Sequence, residues 1–276
     1  MRILNKQFMK KTINYLTSAL KKAFPGKIQK AQNYFNKGLK RSWDKDYIGA
    51  IANYTRAIKI NPKYAQAYCI RGGAKHMVKD FKGSIADFNM AIMIEPKYAM
   101  AYSSRGSLKD SLKDYRGAIT DYTKAIEIDP QDRSNYCNRA NLKNNYVISD
   151  FKGAIADFTL ALEIQLSDGF LSPTDIWIFC ERARVKSGLQ DYHGAIDDYT
   201  KAIEIDHQDK FIYIKRGHER ECIADYFGAI ADYSKAIDFA PRYSAVYTLR
   251  GRVKILLGQK DSADLDFCKA RELALL

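Results

Sequence analysis

The segment DYIGAIANYTRAIKINP, residues 46–62, returns twice at intervals of 34 residues, as DFKGSIADFNMAIMIEP (80–96) and DYRGAITDYTKAIEIDP (114–130). It recurs as DFKGAIADFTLALEIQ (150–165), DYHGAIDDYTKAIEID (191–206) and DYFGAIADYSKAIDFAP (225–241), and more weakly as DSADLDFCKARELA (261–274). A fixed period of this length is typical of repeat proteins, whose units stack because none can bury its apolar face alone. The sequence therefore predicts seven stacked repeats.

Each repeat has the pattern of two helices. With the proline at position 32, the repeats begin at Ala31, Ala65, Ala99, Arg133, Ile176, Lys210 and Ser244. The aromatic residue at position 4, the small residue at 8 and the basic residue at 11 form one stripe of helical period, and small or apolar residues at 17, 20, 21, 24, 27 and 28 form another. An aspartate between the stripes is placed to cap the second helix, and the proline ends it. The predicted unit is a helix-turn-helix.

These residues resemble the tetratricopeptide repeat: 34 residues, small side chains at positions 8, 20 and 27, an aromatic at 24 and proline at 32. The resemblance covers residues 31–276. It implies an all-α, right-handed superhelical solenoid whose concave groove, lined by the first helices, holds a peptide or a partner protein. It also implies no intrinsic catalysis.

The repeat pattern is interrupted once. Repeat 4 has two extra residues around 146–149, and the segment LSDGFLSPTD, residues 166–175, has the Gly, Ser and Pro content of a loop. We therefore predict repeats 1–4 over residues 31–166, a connecting loop over 167–175, and repeats 5–7 over 176–276, after an N-terminal helix within residues 1–30.

Composition argues against an enzyme. The five cysteines form no Cys-x-x-Cys pair, and Cys69, Cys137 and Cys180 share repeat position 5 as small residues. The four histidines lack the spacing of metal ligands. We expect no catalytic residue, no metal and no cofactor, and a reducing, cytoplasmic location.

Positive charge is concentrated at the N-terminus. Residues 1–43 contain eleven Lys or Arg and no acid, and the rest has 34 basic against 32 acidic residues. Because the repeats are nearly neutral, nucleic acid is disfavoured as a partner. Residues 1–26 place Met9, Ile13, Leu16, Leu20 and Phe24 on one helical stripe with lysines opposite. This predicts a basic amphipathic helix that caps repeat 1 or, alternatively, docks on an anionic membrane and makes the protein a peripheral membrane adaptor; a targeting peptide is the third interpretation.

Two ladders of opposite charge run through the repeats. Position 7 is Lys or Arg in every copy, and position 23 is Asp from Asp87 onward, as in Arg105 and Asp121. We expect ion pairs within each repeat, with ligand binding by the arginines as the alternative.

The candidate partner-binding residues lie on the predicted first helices, facing away from positions 4, 8 and 11. They are His76, Asp110, Asn141, Asn144, Glu181, Arg184, Lys215, His218, Glu221 and Arg252. At position 9, neutral residues give way to Arg184, His218 and Arg252 in repeats 5–7, a row that fits an acidic or C-terminal segment of a partner protein. The alternative is that Glu181 and Glu221 neutralise this row as surface pairs.

Overall fold

The computed structural model describes residues 26–145, 147–166 and 172–275 of the chain. Within those ranges it contains fourteen α-helices and no strand. They are α1 (Lys27–Trp43), α2 (Tyr47–Ile60), α3 (Ala65–Met77), α4 (Phe81–Ile94), α5 (Ala99–Ser111), α6 (Tyr115–Ile128), α7 (Arg133–Lys143), α8 (Phe151–Leu166), α9 (Pro173–Gly188), α10 (Tyr192–Ile205), α11 (Lys210–Cys222), α12 (Tyr226–Phe239), α13 (Ser244–Leu256) and α14 (Lys260–Ala274). The all-α prediction and the seven helix pairs are confirmed.

The chain divides into two compact units. The first ends at Pro130 and contains α1–α6, and the second starts at Gln131 and contains α7–α14. In each unit the two helices of a repeat pack together, and the second helix packs on the first helix of the next repeat. The observed units meet one repeat before the loop predicted at 167–175. Because the structure does not describe residues 167–171, that predicted division stays a prediction.

The core of each repeat forms where an aromatic ring lies on a small residue. Phe88, at position 24, is 1% exposed, and a Cβ on Gly72 at position 8 would lie 2.8 Å from its Cε1 atom. Gly217 and Tyr233 repeat this approach at 2.9 Å. Small side chains at position 8 thus let the helices of a pair come close enough for the ring to be buried.

The turn between the helices has the same design in six repeats. Asp80 accepts a hydrogen bond from the Gly83 backbone N–H at 2.9 Å and caps α4. Equivalent caps are formed by Asp46, Asp114, Asp150, Asp191 and Asp225. The residue before each cap has a left-handed backbone, as at Lys79 with φ of 64°. The predicted capping aspartates are confirmed.

Helix α9 starts earlier than the sequence analysis placed it. The repeat was predicted to begin at Ile176, but α9 begins at Pro173. Ser172 and Asp175 form a capping box, and proline is favoured in the first turn of a helix because it has no N–H to leave unbonded. Asp175 is fully buried and pairs with Arg133 of α7. The last three residues of the predicted loop are therefore helical.

Two further sequence expectations can be placed. The extra residues of repeat 4 fall in the turn between α7 and α8, where Ser149 is left-handed with φ of 53°. The amphipathic helix expected at the N-terminus lies outside the described residues, apart from Gly26 and the start of α1. None of the helices in the described ranges is both long and apolar enough to cross a membrane.

Candidate functional site

The two charge ladders meet inside repeats 2–7 as buried ion pairs. Arg71 donates to both oxygens of Asp87, with Nε–Oδ2 of 2.8 Å and Nη2–Oδ1 of 2.7 Å. The Lys75 ammonium, at position 11, lies 2.9 Å from the same carboxylate. The arrangement recurs for Asp121, Asp157, Asp198, Asp232 and Asp266. The predicted pairing is confirmed, and these cations are engaged by the fold.

The same arginines also link neighbouring repeats, a role that the sequence analysis missed. The Nη1 atom of Arg71 donates to Thr55 of the preceding repeat at 3.0 Å, and Arg216 donates to Thr200 at 3.0 Å. Arg105, Arg182 and Arg250 make the equivalent bond to Asn89, Thr159 and Ser234. The sequence feature that could have predicted this bond is the small polar residue at position 25 of the first six repeats.

All ten candidate partner-binding residues lie on first helices or at their ends. Asp110, Asn141, Arg184, Lys215, His218 and Arg252 are exposed, and His76, Asn144, Glu181 and Glu221 are partly buried. Within the first unit, α3 contacts α5, so the first helices of successive repeats lie side by side there. Partial burial also raises the pKa of Asp110 above its ordinary value.

The basic row of the second unit is partly neutralised. Arg184 pairs with Glu181 on the same helix at 2.6 Å, as the alternative interpretation expected. Glu221 instead accepts a hydrogen bond from the Tyr233 hydroxyl. Arg252 and His218 are exposed and form no ion pair with any residue that the structure describes. A ligand can therefore contact Arg252 and His218 without breaking an ion pair of the described residues.

The first unit has a groove of different chemistry. A cavity of about 550 Å³ opens between α1, α3 and α5. Its lining includes Ile70, Gly73, Met77, Phe88, Ser103 and Ser107. The small residues at position 9, Gly73 and Ser107, leave the space open, and the surface offered is apolar with a few hydroxyl groups. Of the ten candidate residues, His76 lines this groove. The sequence analysis selected none of the other lining residues, although two neutral small residues at one position were visible.

Three of the five cysteine thiols are unsuited to nucleophilic catalysis. Burial raises the pKa of Cys69, Cys137 and Cys180 to about 11 in each case. A thiol with such a pKa is protonated at neutral pH and unreactive. In the described part of the chain, no group of three or more His, Cys, Asp or Glu side chains is placed to hold a metal ion.

Comparison with known proteins identifies the repeat. The sequence profile of the tetratricopeptide repeat matches residues 99–132 and 178–209. No protein with a curated description matches the chain. A repeat protein from Cytophaga hutchinsonii is similar in fold, with a TM-score of 0.69 and 16% identity over 87% of this chain and 95% of that one.

Two other solved structures are similar over most of their own length. A tetratricopeptide repeat protein from Parabacteroides merdae has a TM-score of 0.57 and 18% identity, covering 89% of this chain and 93% of that one. YrrB, described as a TPR protein with an unusual peptide-binding site, has a TM-score of 0.56 and 19% identity over 67% of this chain and 91% of its own. At these identities the likeness shows the fold.

Proposed function

Because the chain is a tetratricopeptide repeat protein, we propose that it is a non-catalytic scaffold that binds a peptide or partner protein on the exposed faces of its first helices. The family forms protein interaction scaffolds and is generally non-catalytic. One observation carries the proposal for this chain. Packing positions 8, 24 and 27 hardly change between repeats, while position 9 runs through Gly73, Ser107, Asn141, Arg184, His218 and Arg252. Variation confined to an exposed face is what recognition of a particular ligand requires.

The second unit supplies the charge for recognition. Arg252 is exposed and has no ion-pair partner in the part of the chain that the structure describes. Arg184 is held by a pair with Glu181, whose strength in water is about 0–1 kcal/mol. Such a pair exchanges readily for a carboxylate of a ligand. We infer that an acidic or C-terminal segment of a partner lies across repeats 5–7, because arginine binds carboxylates through two parallel hydrogen bonds.

Peptide selection tests this inference. A random 12-residue library would be selected on the full chain, and the affinity of an enriched peptide measured by fluorescence anisotropy. We expect peptides rich in Asp and Glu, with binding that weakens as salt rises. The double change Arg184→Glu and Arg252→Glu should weaken binding by at least about tenfold, equivalent to ~1.4 kcal/mol.

The matched control is Lys201→Glu with Lys235→Glu. It makes the same change in net charge on exposed side chains of the second helices α10 and α12. Binding should survive it. If the selected peptides bind the folded Arg184/Arg252 variant as tightly as the wild type, or if no peptide is enriched, the proposed site is wrong.

The membrane-adaptor alternative depends on residues 1–26 and stays a prediction. Its support is the sequence stripe that contains Leu16 and Leu20. If that stripe enters a bilayer, Leu16→Asp with Leu20→Asp should abolish flotation of the full chain with anionic vesicles. Flotation unaffected by the change, or absent from the wild type, contradicts the alternative.

A further inference from the structure

Glu219 occupies a helix position that is apolar elsewhere in the second unit. Position 10 of the first helices in that unit is Leu142, Val185, Glu219 and Val253. The three hydrocarbon side chains are buried, and Glu219 is buried to the same degree, at 4% exposed. A carboxylate therefore stands where the fold otherwise uses a small apolar group.

The Glu219 carboxylate has no complete set of partners within the protein. Its Oε2 atom is buried and has no hydrogen-bond partner among residues 26–145, 147–166 and 172–275. Burial of a charged oxygen without a hydrogen bond is costly, and native proteins rarely leave one unsatisfied. The position thus requires a donor that the described chain does not supply.

The residues around Glu219 include the buried phenol of Tyr199. Burial first, and then the charge of Glu219, raises the pKa of Tyr199, which lies on the second helix of the preceding repeat. In the first unit, Leu108 at position 10 packs in one cluster with Phe88, which is at position 24 of the preceding repeat. Glu219 and Tyr199 occupy these two positions in repeats 6 and 5. Arg184 pairs with Glu181, and Glu219 forms no ion pair with any residue that the structure describes.

Glu219 also lies close to the open surface of α11. It influences the thiol of Cys222, one turn further along the helix, and Cys222 is exposed. His218, the neighbouring residue, is exposed too. Exposed side chains therefore flank Glu219 along α11.

We propose that Glu219 and Tyr199 form a cation subsite that receives a lysine or arginine side chain of the bound partner. An ammonium or guanidinium group would donate charge-assisted hydrogen bonds to the unsatisfied oxygen. The inference rests on the proposed function and deepens it. The partner segment would carry one basic residue that enters between α9 and α11, flanked by acidic residues that meet the row containing Arg184 and Arg252.

Two small probes of equal shape test the subsite. N-acetyl-arginine amide carries the cation, and N-acetyl-citrulline amide is its uncharged analogue. Backbone amide chemical shifts of the full chain would follow each titration. We expect the arginine probe to bind at least about tenfold more tightly than the citrulline probe, with the largest shifts near Glu219 and Tyr199.

Variants assign this preference to one carboxylate. Glu219→Leu should abolish the preference, and Glu219→Gln, which keeps the shape, should reduce it strongly. Glu204→Leu removes an exposed carboxylate from α10 and should change nothing. Equal binding of the two probes, no binding of the arginine probe, or a preference that survives Glu219→Leu would overturn the inference.

The two proposals can fail separately. If the arginine probe shows no preference while selected acidic peptides still depend on Arg184 and Arg252, only the cation subsite is wrong. If peptide binding is independent of Arg184 and Arg252, the acidic-segment proposal fails, whatever the probes show.

Discussion

The buried aspartate at position 23 has its negative charge compensated by two cationic side chains of the same repeat. Asp121 is 2% exposed and receives two hydrogen bonds from Arg105 and an ion pair from Lys109. Charge-assisted bonds of this kind compensate for the loss of water around the carboxylate. The pairing could be predicted from sequence because the two ladders are 16 residues apart in every paired repeat except repeat 4, where two extra residues make the spacing 18.

Removal of either partner in repeat 3 should destabilise the protein. Asp121→Ala leaves Arg105 and Lys109 partly buried without an anion, so we expect a loss of up to about 3 kcal/mol in the free energy of unfolding. Arg105→Ala should cost less, because Lys109 still faces Asp121. Urea denaturation measures both. The exposed pair of Lys124 gives the control, since Lys124→Ala should leave stability nearly unchanged. Equal stability of all variants contradicts the prediction.

The pH dependence of stability should reveal the pair of repeat 7. Burial alone would raise the pKa of Asp266, but hydrogen bonds from Arg250 and Lys254 outweigh it and hold the pKa below its ordinary value. A carboxyl whose pKa is lower in the folded state stabilises the fold above its unfolded pKa, about 3.9, and loses this contribution as the pH falls through the folded value. The difference in unfolding free energy between wild type and Asp266→Asn should be constant from pH 7 to pH 5 and shrink below about pH 4. A difference that stays constant down to pH 3 would contradict the assignment.

Stability provides an independent view of Glu219. Because its buried oxygen lacks a partner and Leu142 fills the same position two repeats earlier, Glu219→Leu should raise the free energy of unfolding by about 1–3 kcal/mol. Thermal and urea unfolding measure the gain. The reverse change Val253→Glu, in the fully buried position of repeat 7, should destabilise. A less stable Glu219→Leu protein would show that the carboxylate is already satisfied.

At the scale of the element, the turn between paired helices combines three local rules. A left-handed residue ends the first helix, an aspartate caps the second, and glycine three residues later leaves room for the cap. A Cβ on Gly117 would lie 2.2 Å from the Asp114 carboxylate. The capping aspartate and the helix pairing were predicted from the sequence. The left-handed residue was not, because it is Lys, Ser, Gln or Ala in repeats 1–6, and none of these residue types is typical of that conformation. The start of α9 was not predicted, because the repeat frame was given more weight than the local Ser172–Asp175 capping signal.

The left-handed position offers a stabilising change in repeat 6. Ala224 has φ of 59°, whereas repeat 7 places Gly258 with φ of 74° at the equivalent position. Because glycine adopts this conformation without steric cost, Ala224→Gly should raise stability by about 0.5–1 kcal/mol, net of its greater freedom when unfolded. Gly258→Ala should lower stability by a similar amount. Urea denaturation that shows the opposite order would contradict this explanation.

At the scale of the whole chain, repeat 7 differs from the others on its outer face. Positions 21 and 28 are Ile or Leu in repeats 1–6, where Ile58 and Ile237 join clusters that include the following helix. Repeat 7 has Asp264 and Arg271 there, and both are exposed. Polar outer faces are what solenoid proteins use to prevent stacking between molecules.

Apolar residues at these two positions should make the protein associate. We expect Asp264→Ile with Arg271→Ile to raise the molecular mass measured by light scattering after size exclusion, in proportion to concentration. Asp197→Ile with Lys201→Ile adds the same apolar groups to exposed positions of α10 and serves as control. An unchanged mass for the first variant, or an equal rise for both, contradicts the specific role of this face.

The binding face is less predictable from sequence than the fold. Helix periodicity placed Arg184, His218 and Arg252 on one exposed row, but could not show that Arg184 is paired with Glu181 or that Glu221 accepts from Tyr233. Glu219 was visible as the one acidic residue at position 10, yet its significance depends on burial between repeats. Helix periodicity assigns a residue to a face of the helix, whereas its hydrogen-bond and ion-pair partners depend on the three-dimensional structure.

The arginine that joins neighbouring repeats has a mechanical consequence. In the second unit, Arg216 grips Asp232 of its own repeat with two hydrogen bonds and Thr200 of the preceding repeat with one. Under a pulling force, we expect this one hydrogen bond between repeats to break before the two hydrogen bonds within the repeat. We therefore expect the repeats of this unit to detach one after another under force. A repeat of 34 residues has a fully extended length of roughly 110–120 Å. Its detachment also removes its first helix from the proposed binding face.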